Sequence, residues 1–481
     1  MNFKPVFHMI AWMLGVVGLL MGFCGLVSFW YGEPATWALG EAAAGTVAVA
    51  VVLWFLTRKH QELSRRDGLG VVAFGWLFAG IAGAVPYVLS GVIAAPVAAL
   101  FETVSGMTTT GASVIPILEG VPRGILLWRA ITHLIGGMGI LVLVVAVLPI
   151  AGVGGFQLFR AETAGPSKDR IEPRMASTAK MLWGVYVVLI VALIFLLWLG
   201  GMDWFDSVCH SFAALATGGF STRTASIAAY DSVYIEGVLM LFMLLGAMNF
   251  ALHYRLLRGE FSPWWKDSSS RFYLAVLALS TAICTVVLRY SAAGPDWGAA
   301  LRGAAFTCVS LGTTTGFCTA DFDAWPSLLK ALLLLLMLMG GCVGSTAGGI
   351  KVARIQVMLK AVVREIRFFM QPQAVIPVKM DRKLLDDEVL LPILSFVALY
   401  LLAALLGILA MLPSAPDLAT AVSSVIACMG GVGPGLSAVG PMLNYSTIPD
   451  GGQMVLIVMM LAGRLEFYTL LAIFLPAFWR K

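Results

Sequence analysis

The chain has 481 residues, of which 60% are hydrophobic and only 12% charged, and a formal net charge of +5. Soluble domains carry about twice that share of charge, and apolar runs of about 20 residues recur along the chain, so the composition excludes a soluble enzyme and implies a polytopic membrane protein. The small positive balance does not point to nucleic acid, because the basic residues fall between the apolar runs, where a positive-inside bias puts them.

Phe7–Trp30 and Trp37–Thr57 read as two spanning helices joined at Gly32-Glu33-Pro34. The first is too long for a signal-peptide core and lacks an Ala-x-Ala-like site, so it is expected to be retained. A basic loop follows (Arg58, Lys59, His60, Arg65, Arg66) and is expected in the cytoplasm. Then a four-part unit begins. Gly70–Ser90 spans, Pro96–Met107 is apolar but too short to cross, Thr108–Ser113 is a polar turn, and Gly124–Ile150 spans back. A short apolar helix that enters the bilayer and stops is the mark of a pore-loop unit.

The same order recurs three times. The second unit is Met181–Gly201, half-helix Trp204–Ala216, turn Thr217–Thr222 and Tyr234–Leu257. The third is Phe272–Tyr290, half-helix Trp297–Leu311, turn Gly312–Thr319, and a segment from Ser327 to Met370. The fourth is Glu388–Leu412, half-helix Asp417–Met429, turn Gly430–Leu436 and Gln453–Trp479. Basic residues follow each unit: Arg160, Lys168, Arg170, Arg174 and Lys180; Arg255, Arg258, Lys266 and Arg271; Lys351 through Lys383; then Arg480 and Lys481. The opposite loops hold few cations (Arg123, Arg223, Arg289, Arg302) and several carboxylates (Glu119, Asp231, Asp321, Asp323, Asp450). All four units thus share one orientation, with both termini cytoplasmic. The expected division is 1–68 for the N-terminal helices, then repeats over 69–160, 161–265, 266–384 and 385–481.

Ser327 to Met370 is 44 residues, roughly 65 Å as one helix, about twice the hydrocarbon thickness. It breaks at Gly340-Gly341-Cys342-Val343-Gly344-Ser345-Thr346-Ala347-Gly348-Gly349, where five glycines in ten residues remove helix preference. Irregular backbone at that depth must line a cavity or be buried in protein. Four glycine- and threonine-rich turns, each after a half-helix, are expected to close a ring of backbone carbonyls around a cation path. Glycine allows the carbonyls to turn inward without a Cβ clash, and the carbonyl ends of the half-helices favour a cation there.

These motifs resemble the Trk/Ktr/HKT superfamily of potassium transporters, in particular the Trk-type pore subunit with two extra N-terminal helices. The resemblance covers nearly the whole chain. It implies an all-α membrane protein with four pore-loop repeats around one pore, taking up K⁺, with Rb⁺ and Na⁺ as further ions, across the inner membrane. It implies a filter of Thr109, Thr110 and Gly111; Thr217, Gly218 and Gly219; Thr314, Thr315 and Gly316; and Gly431, Val432 and Gly433. Gly218 and Gly219 are adjacent, and the motif leaves open which is the filter glycine. The fourth turn, Met429-Gly430-Gly431-Val432, lacks the threonines of the others. The resemblance further implies gating by the loop (Gly340, Gly341, Gly344, Ser345, Thr346, Gly348, Gly349, Lys351) and by Arg464, a homodimer, and a cytoplasmic nucleotide-binding regulatory ring. Lys351–Lys383 is a plausible contact for that ring. No covalent cofactor is implied, only K⁺ ions in the filter.

Other features carry less. Gly344-x-x-x-x-Gly349-Ile350-Lys351 has the glycine spacing of a phosphate loop but neither its Lys-Ser/Thr ending nor a preceding strand. The seven cysteines show no metal-ligand spacing and read as buried thiols. Arg464 lies about halfway along the last apolar run; a charge at that depth is by default functional, although an arginine tying helices together would look the same. Glu466, two residues on, points elsewhere. His133 and His210, the latter near Asp206, could suggest an intramembrane enzyme, but no nucleophile has a partner motif. An ion-coupled carrier is the other alternative; it calls for Asp or Glu at the helix breaks, and the breaks read here carry none.

Overall fold

The computed structural model describes residues 2–58, 64–139, 175–291, 294–374, 376–381, 383–465 and 467–479. Among these residues six helices are long and apolar enough to cross a membrane. Two are the N-terminal pair, Phe3–Trp30 and Ala35–Thr57. The other four are the first spanning helices of the repeats: Arg65–Leu89, Met175–Leu199, Ser268–Arg289 and Asp387–Met411. The strand content is one antiparallel ladder pairing Lys379 with Leu384 and Met380 with Lys383.

The four half-helices are Pro96–Met107, Trp204–Leu215, Trp297–Gly312 and Leu418–Gly430. At 12 to 16 residues each, they rise about 18–24 Å, short of a bilayer core of about 30 Å. Their starts are chemically marked. Asp203, Asp296 and Asp417 accept from the N–H groups of Phe205, Ala299 and Thr420, and Pro96 opens the first, where its missing N–H costs nothing.

The return helices differ from the expected full spans. They are Arg123–Gly137, Val233–Ala247, Ser327–Met339 and Asp450–Arg464, so all four stop after 13 to 15 residues. Only the third break was expected from the sequence, although the first also falls in a glycine cluster, Gly136-Gly137-Met138-Gly139. In the second repeat the chain turns by 106° into Phe250–Leu257, with Asn249 capping the new helix through Ala251 N. In the fourth, Phe467–Ala472 and Pro476–Trp479 follow as separate short helices. Residues 140–150 of the expected first return span, and the basic residues Arg160, Lys168, Arg170 and Arg174, lie outside the described residues.

Close approach explains where three of these helices run. A Cβ on Gly136, Gly246 or Gly463 would collide with the backbone carbonyl of Met107, Leu215 or Met429, the last turn of the half-helix in the same repeat. In the third repeat Tyr273 of the spanning helix instead donates its hydroxyl to Gly312 O at 3.0 Å. The helix Arg65–Leu89 starts before 69, at a capping box on Ser64 and Asp67. The short helix Ser262–Lys266 spans 265, and Asp267 caps the helix that follows.

Candidate functional site

The turns after the half-helices share one backbone pattern. The N–H groups of Thr110, Gly218, Thr315 and Val432 donate to the carbonyls of Ser105, Ala213, Ser310 and Ala427, each at 2.8 Å and each five residues back. That bond aligns the four sequences without reference to side chains. Two residues with positive φ then alternate in every copy: Thr109 and Gly111, Thr217 and Gly219, Thr314 and Gly316, Gly431 and Gly433. Gly219, and not Gly218, therefore occupies the position of Gly111, Gly316 and Gly433.

Threonine rarely adopts φ near +55°, and each such residue stores about 1–2 kcal/mol. Outliers of this kind, repeated three times at one position, point to a functional demand on the backbone. Successive carbonyls of an ordinary extended strand face opposite ways; alternating the sign of φ brings neighbouring carbonyls to one side. Thr109, Thr110, Thr217, Thr314, Thr315 and Val432 are all buried. In the first and third turns the hydroxyls pair, Thr108 with Thr110 and Thr313 with Thr315, each at 2.8 Å. In the second and fourth turns Ala216 and Gly430 leave no such pair.

The turns form a closed ring. A Cβ on Gly111 would strike Gly218 O, one on Gly219 would strike Thr315 O, one on Gly316 would strike Val432 O, and one on Gly433 would approach Thr110 O to 2.7 Å. Each glycine is backed against the next repeat's carbonyl, and the fourth returns to the first. Four covalently linked units thus close one cycle of backbone carbonyls.

Side chains prop the ring from behind. His133 accepts from Phe220 N through Nε2 at 3.1 Å, so its Nδ1–H donates to Gly106 O at 2.7 Å. His210 accepts from Ser221 Oγ at 2.9 Å and donates from Nδ1 to Asp206 O at 2.8 Å. The Asp206 carboxylate does not orient that imidazole. It is taken by Thr222, Arg223 and Tyr230, so Ser221–His210 is not a nucleophile–base pair with an acidic partner. Sequence reasoning passed over Glu102 and Arg129, which form a fully buried ion pair at 2.7 Å. The signal was available: each is an ionisable residue inside an apolar run.

The layer under the ring is built by the glycine-rich loop and Arg464. Gly340 and Gly349, both at positive φ, cross at close range where the helix breaks. From there the loop reaches up to the ring. Gly348 N donates to Thr314 Oγ1 at 2.8 Å, Thr346 Oγ1 lies 3.0 Å from Leu215 O and 3.3 Å from Thr217 Oγ1, and a Cβ on Gly348 would strike Gly430 O. The loop also closes the open end of the second return helix. Cys342 N donates to Ala247 O at 2.9 Å and Thr346 N to Gly246 O at 3.1 Å. Gly341 faces Ala247 O, Gly344 packs on Asn249, and Ser345 Oγ donates to Cys342 O at 2.5 Å. Lys351 begins the helix Val352–Met370 at φ 77° and donates to Ala347 O.

Arg464 ends the fourth return helix and points into this layer. Nη1 donates to Thr346 O at 2.8 Å, and Nη2 to Gly136 O at 2.5 Å and Gly137 O at 3.2 Å. The last carbonyls of a helix are unsatisfied and carry partial negative charge, so the first repeat's return helix solvates this guanidinium in place of water. Arg464 thus joins the third repeat's loop to the first repeat from a helix of the fourth. Glu466 lies outside the described residues.

A family model described as "TrkH: Cation transport protein" matches residues 40–481. The chain is 38% identical to the Trk system potassium uptake protein TrkH of Escherichia coli K12 and 33% identical to TrkG of the same strain, over all of the relative in the first case and 99% of both chains in the second. The crystal structure of the potassium transporter TrkH from Vibrio parahaemolyticus superposes with a TM-score of 0.89 at 35% identity, covering all of both chains.

Proposed function

The chain belongs to the TrkH family of cation transport proteins, and from that premise we propose that it takes up K⁺ across the inner membrane through one pore, selecting the ion at the carbonyl ring. The observation that carries this reading is the closed cycle of four glycines, each packed against the carbonyl of the next repeat. Carbonyls fixed in this way replace the hydration shell of an ion without first having to be ordered. Thr109–Gly111, Thr217–Gly219, Thr314–Gly316 and Gly431–Gly433 are the filter segments, and K⁺ ions within them are its only cofactor. Rb⁺ and, less well, Na⁺ follow the same path.

Below the filter, the loop 340–349 is the gate and Arg464 holds it shut. The loop's hydrogen bonds to Leu215 O and Thr314 Oγ1 and the close approach of Gly348 to Gly430 O support that role, because they put the loop across the underside of the ring. The residues next to the first three breaks are glycine, methionine and asparagine, with no carboxylate to couple a proton or sodium, whereas the fourth has Glu466; the chemistry of the breaks thus counts against the carrier alternative at three of the four. The basic, amphipathic helix Val352–Met370, with Val362, Ile366, Phe368 and Phe369 exposed, supports docking of a regulatory ring and assembly as a homodimer. The charge bias supports cytoplasmic termini.

The test is Rb⁺ flux into liposomes holding the purified protein, with K⁺, Na⁺ and choline as competitors. K⁺ should compete most strongly, Na⁺ weakly and choline not at all. Competition by choline, or none by K⁺, removes the reading. For orientation, Lys168→Cys and Asp323→Cys in a background without native cysteines should label from opposite sides of the membrane.

A further inference from the structure

Behind the ring, one guanidinium connects two neighbouring repeats. Arg129 Nε donates to Glu102 Oε1 at 2.7 Å, Nη2 to Ser113 Oγ at 3.1 Å and Nη1 to Ser221 O at 3.0 Å. Its plane lies 4.0 Å over the ring of Phe220. Ser113 stands two residues after Gly111, and Ser221 two after Gly219, so the two contacts fall at the same height on adjacent strands as they leave the ring. The carboxylate is itself fully used: Glu102 Oε1 also accepts from Ser113 Oγ at 3.1 Å and Oε2 from Val114 N at 2.8 Å. Arg129 is 2% exposed and Glu102 0%. Neither charge has water to fall back on, so the pair holds both strands at one separation.

Among the described residues, a charged clamp of this kind stands on one side of the ring. Nine residues before each ring glycine stand Glu102, His210, Thr307 and Ser424. His210 repeats the contact to the serine on its own strand, Ser221, and its ring lies 5.8 Å from that of Phe317 in the third repeat, but it brings no charge. Thr307 and Ser424 are short neutral hydroxyls. Repeats 4 and 1 are tied by neutral bonds through Tyr445, which donates to Ser113 O and Gly433 O, and repeats 2 and 3 by Cys318 N to Ser226 Oγ; the charged clamp joins repeats 1 and 2.

We propose that Arg129, held in place by Glu102, is a positioning residue that determines ion specificity by fixing the spacing of the first two filter strands. This rests on the filter reading above. A carbonyl cage discriminates between ions by how far its oxygens resist moving inward onto a smaller one. The guanidinium touches no ion; it acts through Ser113 and through the Ser221 carbonyl. Removing one partner of a buried pair leaves the other charge unsatisfied, which frees both strands to approach each other and lets Na⁺ be held as well as K⁺.

The experiment measures Na⁺ competition against Rb⁺ uptake per folded molecule in liposomes for Glu102→Gln, Arg129→Lys and Ser113→Ala. Glu102→Gln keeps the shape and loses the charge. Arg129→Lys keeps the charge but loses the planar fork that spans the two strands. Ser113→Ala leaves both charges and removes one strand contact, so it remains testable where the charge variants fail to fold. Na⁺ should compete at concentrations lower by about threefold or more in the first two, and by a smaller factor in Ser113→Ala. Unchanged Na⁺ competition in the folded variants, with only thermal stability reduced, overturns the proposal and leaves the pair a packing element. Gly111→Ser measured in parallel separates the two readings: if it alters ion preference and these three do not, the clamp fails and the filter stands; if none of the four alters it, the filter reading fails as well.

Discussion

The ring and the layer beneath it are a few residues apart and are built on opposite principles. In the ring every repeat contributes the same thing: one 2.8 Å bond back to its half-helix, two positive-φ residues and one glycine against the next repeat. In the layer below, among the described residues, the third repeat alone supplies the loop and the fourth alone supplies Arg464. Coordinating an ion calls for equal ligands on all sides, so the repeated element is backbone, which tolerates sequence drift. That is why Val432 can stand where the first and third turns have threonine. Control calls for a single moving part, and a single part draws its contacts from whichever repeats it reaches.

The sharpest way to break this contrast is to damage the repeated element once. Gly316→Ser places a Cβ against Val432 O and forces serine to φ near 80°. The αL strain alone is about 1–2 kcal/mol before the collision is counted. Potassium transport or K⁺ over Na⁺ preference should fall by about tenfold or more, the equivalent of 1.4 kcal/mol, with protein still present in the membrane. Gly111→Ser, its counterpart, should behave alike. Rb⁺ uptake with Na⁺ competition measures both, and a normal ion preference in either variant would show that the repeats are not equivalent.

The next largest effect comes from the unrepeated element. Removing Ser345–Gly348 takes away the contacts to Thr314 and Leu215 and uncaps the Gly246 carbonyl. Basal Rb⁺ flux should rise several-fold while ion preference stays as it was. A well-folded shortened protein that transports less would make the loop a structural kink.

The two regions also differ in how far the sequence discloses them. The half-helices were legible nearly to the residue, because proline or aspartate marks each start and a glycine or threonine turn marks each end; Pro96–Met107 has the expected bounds. The ring glycines were legible as a motif, but choosing Gly219 over Gly218 needed φ. The break after Gly137 was signalled by Gly136-Gly137-Met138-Gly139 but passed over, and those after Ala247 and Arg464 were not legible. Hydropathy stays high across them, and the half-helix carbonyls packed on Gly136, Gly246 and Gly463 beside them are contacts made in three dimensions. The partners of Arg464 in the first repeat lie 327 and 328 positions away, a distance no local pattern spans. Glu102 and Arg129 were hidden for a different reason: each apolar run was read as a whole, and its one charge was averaged away.

A smaller step than removing the loop is to release its latch. Arg464→Ala deletes donors to Thr346 O and to the Gly136 and Gly137 carbonyls. Hydrogen bonds to a charged group contribute about 1.5–3 kcal/mol, so closure should weaken and Rb⁺ flux rise. Arg464→Lys keeps the charge but cannot span both carbonyl groups with one planar fork and should fall between. If the arginine served packing alone, the alanine variant would be less stable and transport less. Flux per folded protein, read beside thermal stability, decides between the two.

The smallest effect is expected outside the membrane, where the repeats again share a device. Asp417 starts the fourth half-helix, as Asp203 and Asp296 start the second and third. Its carboxylate accepts from Ser437 Oγ at 2.7 Å and from Thr420 N at 2.8 Å. Those bonds, Ser437 first, hold its pKa below the ordinary 3.8. A carboxyl whose folded value lies below its unfolded one stabilises fully above the unfolded value and loses that contribution as pH falls through the folded one. The cap is therefore intact at neutral pH and fails only in strong acid. Asp417→Ala should lower stability by about 0.5–2 kcal/mol, the usual range for a lost N-cap, with Rb⁺ preference unchanged because Val432 and Gly433 are held by Ala427 and Tyr445 instead. Asp417→Asn keeps an acceptor for Thr420 but no charge to titrate, so its melting temperature should vary less than that of the parent protein below pH 3.8. Thermal unfolding in detergent across that range compares the three, and a shift in ion preference for either variant would mean that the outer cap and the ring are one mechanical unit.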